Sequence, residues 1–287
     1  MRIGRAVEAV LLAPITLLIG IGVVIPGLIL FGYSLFAWQF LKPAGGATAA
    51  NYLNAFSDPL YRQLLINTIA IGLPTTIGSI VGGYVLAYYA VFASGRRGAF
   101  VFFLVVTALM ASYLVRIYAW RILLGESGII NSALTTSGLI HQPLEFLLFS
   151  RISAILAEVS LFMPLAALAF YAALSGISGD YREAARDLGA GRFQVLSRVT
   201  LPLTGHALLA VTAVTFFLSA GDYVTPVLVG GVDSSTFGTV IATRMGPAGD
   251  YGTGAALSFL VLVGFIAVFL LIRSGLRVAR LLPERST

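Results

Sequence analysis

Six apolar stretches, at about 9–36, 64–93, 99–115, 152–174, 204–220 and 254–273, dominate the chain, and each approaches the roughly 20 helical residues needed to cross a hydrocarbon core of about 30 Å. Inside lipid every backbone N–H and C=O must be satisfied within the protein, so these stretches are expected to be helices rather than open strands. Only 10% of the 287 residues are charged, against roughly 25% in an average soluble domain. The expected fold class is all-α integral membrane, with six transmembrane helices in one domain spanning 1–287. The third and fifth stretches are the shortest. The second is long enough to tilt or project, and Pro74 or the pair Gly82 and Gly83 offers a place to bend.

Basic residues give an expected orientation. With the N-terminus inside, twelve of the 18 Lys and Arg residues fall in inner segments: Arg2, Arg5, Arg96, Arg97, Arg182, Arg186, Arg192, Arg198, Arg273, Arg277, Arg280 and Arg285. Lys42, Arg62, Arg116, Arg121, Arg151 and Arg244 fall outside. Both termini are therefore expected to be cytoplasmic. The first apolar run exceeds the usual 7 to 15 or so residues of a secretory signal, so it is expected to be kept as a span. This topology accounts for the net charge of +6, which implies membrane lipid and no nucleic acid as surroundings. Cysteine is absent and His141 and His206 stand alone, so neither a disulfide nor a metal site is expected. The single lysine, Lys42, precedes Pro43 and cannot be the lysine of a phosphate-cradling Gly-Lys-Ser/Thr loop. No cofactor is expected in this chain, and any ATP must be used by another subunit.

A charged island at about 175–203 interrupts the apolar pattern. Tyr181, Ala184, Ala185 and Leu188 share one helical face, while Arg182, Glu183, Arg186 and Asp187 lie on the other. Asp180, three residues before Glu183, is expected to cap this short helix, and Gly189 sits where a left-handed residue would end it. Two alanines on the apolar face allow a partner surface to approach the backbone closely. The alternative is an amphipathic connector lying on the bilayer surface.

Glu183, Ala184, Ala185, Gly189, Leu201 and Pro202, with Val199 where isoleucine is usual, resemble the EAA loop of the membrane subunits of binding-protein-dependent ABC importers. Six fixed letters at fixed spacing recur by chance on the order of once in ten thousand chains of this length. The resemblance implies the type I ABC importer permease fold in a bacterial inner (cytoplasmic) membrane, with a cytoplasmic coupling helix. It further implies a second homologous permease subunit forming a heterodimer, two ATP-binding cassette subunits holding ATP and Mg, and a soluble substrate-binding protein. Coupling to the ATPase would fall to Glu183, Ala184, Ala185, Arg186, Asp187, Gly189, Leu201 and Pro202.

The run Arg116-Ile-Tyr-Ala-Trp-Arg-Ile-Leu-Leu-Gly125 with Gly128-Ile-Ile-Asn131, and the run Gly221-Asp-Tyr-Val-Thr-Pro-Val-Leu-Val-Gly-Gly231, are similar to segments of spermidine/putrescine-type permeases. The implied cargo is a small organic cation, with an opine, an aminophosphonate or another small amino compound as alternatives. Expected pathway residues are Glu158, Asp222, Tyr223, Tyr113, Arg116 and Trp120. Each also has a structural reading. Tyr113, Tyr118 and Trp120 suit headgroup depth, Arg116 and Arg121 suit snorkelling, and Asp222 suits backbone capping in a Gly-bounded turn. Glu158 is a charge at membrane depth that either faces a cavity, snorkels, or pairs with Arg151. An ion-coupled carrier is disfavoured because no internal repeat relates the two halves. A membrane-embedded enzyme would need converging polar groups, and the spans offer Glu158 with scattered Ser and Thr.

Overall fold

A computed structural model describes residues 5–39, 41–93, 95–279 and 281, so the expected inner charges Arg2, Arg280 and Arg285 lie outside the described residues. Helix α1 (Arg5–Ile19) passes through a π turn (Gly20–Val24) into α2 (Ile25–Ser34). A hairpin of β1 (Phe36–Gln39) and β2 (Lys42–Ala47), then α3 (Ala50–Ser57), leads to the long α4 (Pro59–Phe92). Helices α5 (Arg96–Met110), α6 (Tyr113–Leu124) and α7 (Ile129–Thr136) precede α8 (Arg151–Ser175). Three short helices follow: α9 (Gly179–Asp187), α10 (Arg192–Val195) and α11 (Leu201–Leu203). The chain ends with α12 (Gly205–Gly221), α13 (Phe237–Met245) and α14 (Tyr251–Val278).

Among the described residues, four helices are long and apolar enough to cross a membrane by themselves: Leu12–Ser34, Pro59–Phe92, Arg151–Ser175 and Tyr251–Val278. The number rises to six if each of two bent pairs is one span, Arg96–Met110 with Tyr113–Thr136 at 98° and Arg192–Leu203 with Gly205–Gly221 at 71°. The stretch expected at about 99–115 therefore ends earlier as a straight helix. Ala111 and Ser112 are extended, at ψ 137° and 136°, and the chain turns there without a proline or glycine to announce it.

The chain divides into two compact units. One comprises residues 1–62 with 240–263. Its antiparallel hairpin, which pairs Trp38 with Pro43 and turns at Leu41 (φ +67°), departs from the all-helical expectation. A lone two-stranded hairpin is marginal in water. Here Trp38 packs between the rings of Tyr33 and Tyr251, at 4.8 and 5.3 Å, and the Asn51 side-chain amide donates to the carbonyls of Ser34 and Phe36, both at 2.9 Å.

The other unit comprises residues 63–239 with 264–287. One core cluster gathers Ala87, Ala166, Phe170, Leu174 and Val211, and a second gathers Ile117, Ala157, Leu161, Phe162 and Val229. Helix α4 reaches α8 through glycines: a Cβ at Gly78 would stand 2.9 Å from Val159, at Gly82 2.5 Å from Met163 Sδ, and at Gly83 2.7 Å from the Ala166 Cβ. The pair Gly82 and Gly83 thus serves close helix packing, and α4 runs unbroken through it. Replacing Gly83 by leucine forces Ala166 and the backbone of Ala167 to move, and is expected to destabilise the fold by about 1–3 kcal/mol. A lower melting midpoint of detergent-solubilised protein checks this, with Gly27→Leu as the control because a Cβ there meets nothing within 4 Å.

Candidate functional site

The amphipathic segment folds as the separate helix α9. Its N-cap is Ser178, whose Oγ accepts from the Asp180 N–H at 3.3 Å and donates to Asp180 Oδ2 at 2.8 Å. Asp180, expected as the cap, lies in the first turn, where its carboxyl faces the positive end of the helix dipole. The other end closes on Gly189 at φ +83°. The N–H of Gly189 bonds to Arg186 O at 2.8 Å and that of Ala190 to Ala185 O at 3.0 Å, the paired bonds of a Schellman motif.

Helix α9 has two dissimilar faces. Arg182 and Ala185 are half-buried, and the Arg182 guanidinium lies 3.9 Å from the ring centre of Phe92, at the end of α4. Tyr181, Glu183, Ala184, Arg186, Asp187 and Leu188 are exposed, Leu188 to 90%. The chain re-enters the bundle through the π turn Leu196–Thr200, directly before Leu201 and Pro202, both half-buried. Thr200 and Thr204 are buried on either side, and Thr204 Oγ1 lies 3.3 Å from Tyr84 Oη of α4.

The expected pathway residues separate into a buried polar seam and one outlier. The break at Ala111–Ser112 starts α6 so that Tyr113, Arg116, Ile117 and Trp120 share its inner face. Tyr113 Oη donates to the Asp222 carboxyl at 2.7 Å. Asp222 Oδ1 also accepts from the Val224 and Thr225 N–H groups at 2.9 and 3.3 Å, and Oδ2 from the Thr225 hydroxyl, so this carboxyl caps the next turn. Trp120 Nε1 donates to Ser160 Oγ at 2.7 Å. Arg116 Nη1 donates to the carbonyls of Ser160 and Leu161 at 3.3 and 3.4 Å. Pro164 of α8 has no N–H for the Ser160 carbonyl one turn earlier, so Arg116 supplies the missing donor instead of snorkelling.

Glu158 is fully buried, and its Oε2 accepts from the Ser219 hydroxyl of α12. It neither snorkels nor pairs with Arg151, which donates instead to Asn67 Oδ1 at 2.8 Å and to the Asp233 carbonyl at 3.1 Å. Glu158 Oε1, Thr75 Oγ1 and Ser79 Oγ are buried without a hydrogen-bond partner. Tyr223, 52% exposed, stands apart from the seam. Sequence reasoning missed Thr75, Ser79, Ser160, Ser219 and Thr225. Thr75 and Ser79 carry a readable signal, two small polar residues one helical turn apart within an apolar span. Among the described residues no group of His, Asp and Glu is placed to hold a metal ion.

Up to six apolar membrane-crossing segments among the described residues, a buried polar seam between helices and the short amphipathic helix α9 are the features that the site presents. The chain belongs to the family described as binding-protein-dependent transport system inner membrane component, whose model matches residues 98–282. It is 31% identical over 229 residues to the spermidine/putrescine transport system permease protein PotB of Haemophilus influenzae, covering 79% of each chain. PotB of Escherichia coli is 27% identical over 216 residues, 75% of this chain and 78% of that one. The fold is shared with a bacterial alginate ABC transporter in complex with an alginate pentasaccharide-bound periplasmic protein, with a TM-score of 0.78 at 16% identity over 95% of this chain and 94% of the other. The protein is thus a multi-pass inner-membrane permease of the type I ABC importer fold, and its family works with a substrate-binding protein and an ATPase.

Proposed function

We propose that this chain forms half of the translocation pathway of an ATP-driven importer for a small organic cation such as spermidine or putrescine. It pairs with a second, homologous permease subunit, and two ATPase subunits hold ATP and Mg. Both termini and the α9 loop face the cytoplasm, in keeping with the distribution of Lys and Arg. The single observation that carries the coupling role is the exposed face of α9, with Ala184 at its centre between Tyr181 and Leu188 and Gly189 closing the helix end. Glu183, Ala185, Arg186 and Asp187 complete the docking helix, and Leu201 and Pro202 anchor its return to the bundle. The likeness to PotB supports a polyamine cargo. Tyr223 lines the pathway, while Glu158, Asp222, Tyr113, Arg116 and Trp120 hold the wall behind it in shape.

Reconstitution tests this directly. The purified chain alone is expected to hydrolyse no ATP. Assembled in proteoliposomes with its partner permease, ATPase and binding protein, it is expected to support spermidine uptake that stops when ATP or Mg is withheld. Hydrolysis by the isolated chain contradicts the division of labour. Uptake of 2-aminoethylphosphonate but not spermidine by the full assembly contradicts the cargo alone.

A further inference from the structure

We infer that α4 is the span through which the docking loop moves the membrane region, and that the stack of Arg182 on Phe92 is the joint between them. This rests on the reading of α9 as the ATPase-docking helix. Helix α9 is attached to α8 through Gly176, Ile177 and Ser178, which makes α8 the obvious transmitter. The side chains point to α4 instead.

Arg182 is half-buried on the side of α9 away from its exposed residues, and its guanidinium carbon lies over the ring of Phe92, the last residue of α4, 3.9 Å from the ring centre. Arg182 Nε is buried without a hydrogen-bond partner, so the π face is what the fold offers this end of the side chain. Phe92 does not stand alone. It packs edge-on against Tyr88 at 4.6 Å, and Tyr84, one further turn back, packs edge-on against Phe170 of α8 at 5.0 Å. Tyr84, Tyr88 and Phe92 thus form one stripe at i, i+4 and i+8 along the end of α4.

The far end of the loop meets the same stripe. Tyr84 Oη lies 3.3 Å from Thr204 Oγ1, and that hydroxyl donates to the carbonyls of Thr200 and Leu201, each at 3.1 Å. The docking segment is therefore held to α4 at both ends, by Arg182 as the chain leaves the bundle and by Thr204 as it returns. A push on α9 is applied to Phe92, and the return turn grips α4 two helical turns deeper. A guanidinium on a ring keeps its attraction while sliding across the face, which suits a joint that must transmit displacement without coming apart.

The chain contains no cysteine, so Val85→Cys, at a position of α4 that is 62% exposed, places a single environment-sensitive fluorophore on that helix. The labelled chain is assembled with cysteine-free partner subunits and trapped with MgATP and vanadate. With Arg182 and Phe92 present, trapping is expected to shift the emission. Arg182→Gln and Phe92→Leu are expected to keep the ATPase subunits and their hydrolysis while reducing that shift about five-fold, and Phe92→Tyr, which preserves the ring, is expected to restore it. An unchanged shift in both disrupting variants overturns the inference in favour of α8, as does a shift absent from the unmodified assembly. Loss of the ATPase subunits from Arg182→Gln also overturns it, since Arg182 would then be a docking residue. Ala184→Trp, run in parallel, tests the docking reading separately: retention of the ATPase there refutes that reading whatever the Arg182 variants do.

Discussion

Replacement of Ala184 by tryptophan is expected to reduce uptake at least about ten-fold, while the amount of protein in the membrane stays at the unmodified level. The asymmetry follows from where Ala184 sits. Its side chain is exposed on α9, so a larger residue is expected to cost folding little. Its smallness has value only to a partner that must come close to the helix backbone. Gly189→Val attacks the same helix from its end: at φ +83° a β-branched residue is strained, and the Schellman bonds from Gly189 and Ala190 to Arg186 and Ala185 must loosen. Copurification of the ATPase, followed with uptake, is the measurement. Full association of the ATPase with the Ala184→Trp chain would remove the docking role from α9.

Asp222→Ala is expected to destabilise the folded permease by about 2–4 kcal/mol, because it strips four donors of one acceptor group at a stroke. The Tyr113 hydroxyl, the Thr225 hydroxyl and the N–H groups of Val224 and Thr225 all converge on this carboxyl, which is 9% exposed. Asp222→Asn keeps one carbonyl oxygen for the two backbone donors and is expected to cost roughly half as much. Thermal midpoints in detergent give the order, alanine below asparagine below the unmodified chain. Were Asp222→Ala to keep both its midpoint and its membrane level while losing uptake of a cationic cargo, the carboxyl would be a cargo contact and the capping role secondary.

Much of this architecture was legible because membrane spans and helix ends carry local signals. The crossings announce themselves by length of apolar run, and Gly189 marks a helix end because few other residues accept a left-handed backbone there. The N-cap was misplaced by two residues because Ser178 and Asp180 are both good capping residues, and the sequence does not rank them. The turn between α5 and α6 is invisible in the sequence, since Ala111 and Ser112 are ordinary residues that carry no turn signal, with neither a proline nor a glycine at the break. The hairpin escaped for a similar reason: its strands are held by Tyr33, Asn51 and Tyr251, contacts that no local pattern reveals. For Glu158 the local candidate partner was Arg151, whereas the fold brings Ser219 from another helix and sends Arg151 to Asn67. Ionisable residues in spans could be found by inspection, but their partners could not.

The contact of Arg116 with the Ser160 carbonyl changes what a charged residue in such a bundle signifies. A guanidinium between helices invites interpretation as a reader of cargo, yet here it answers a gap left by an imino acid on a neighbouring helix. The two positions form one heritable unit: a homologue that replaces Pro164 with an ordinary residue regains its own amide donor and relieves position 116 of the need for a cation. Drift at one should license drift at the other. Variation at position 116 across such transporters would then record the history of a missing amide rather than a change of cargo.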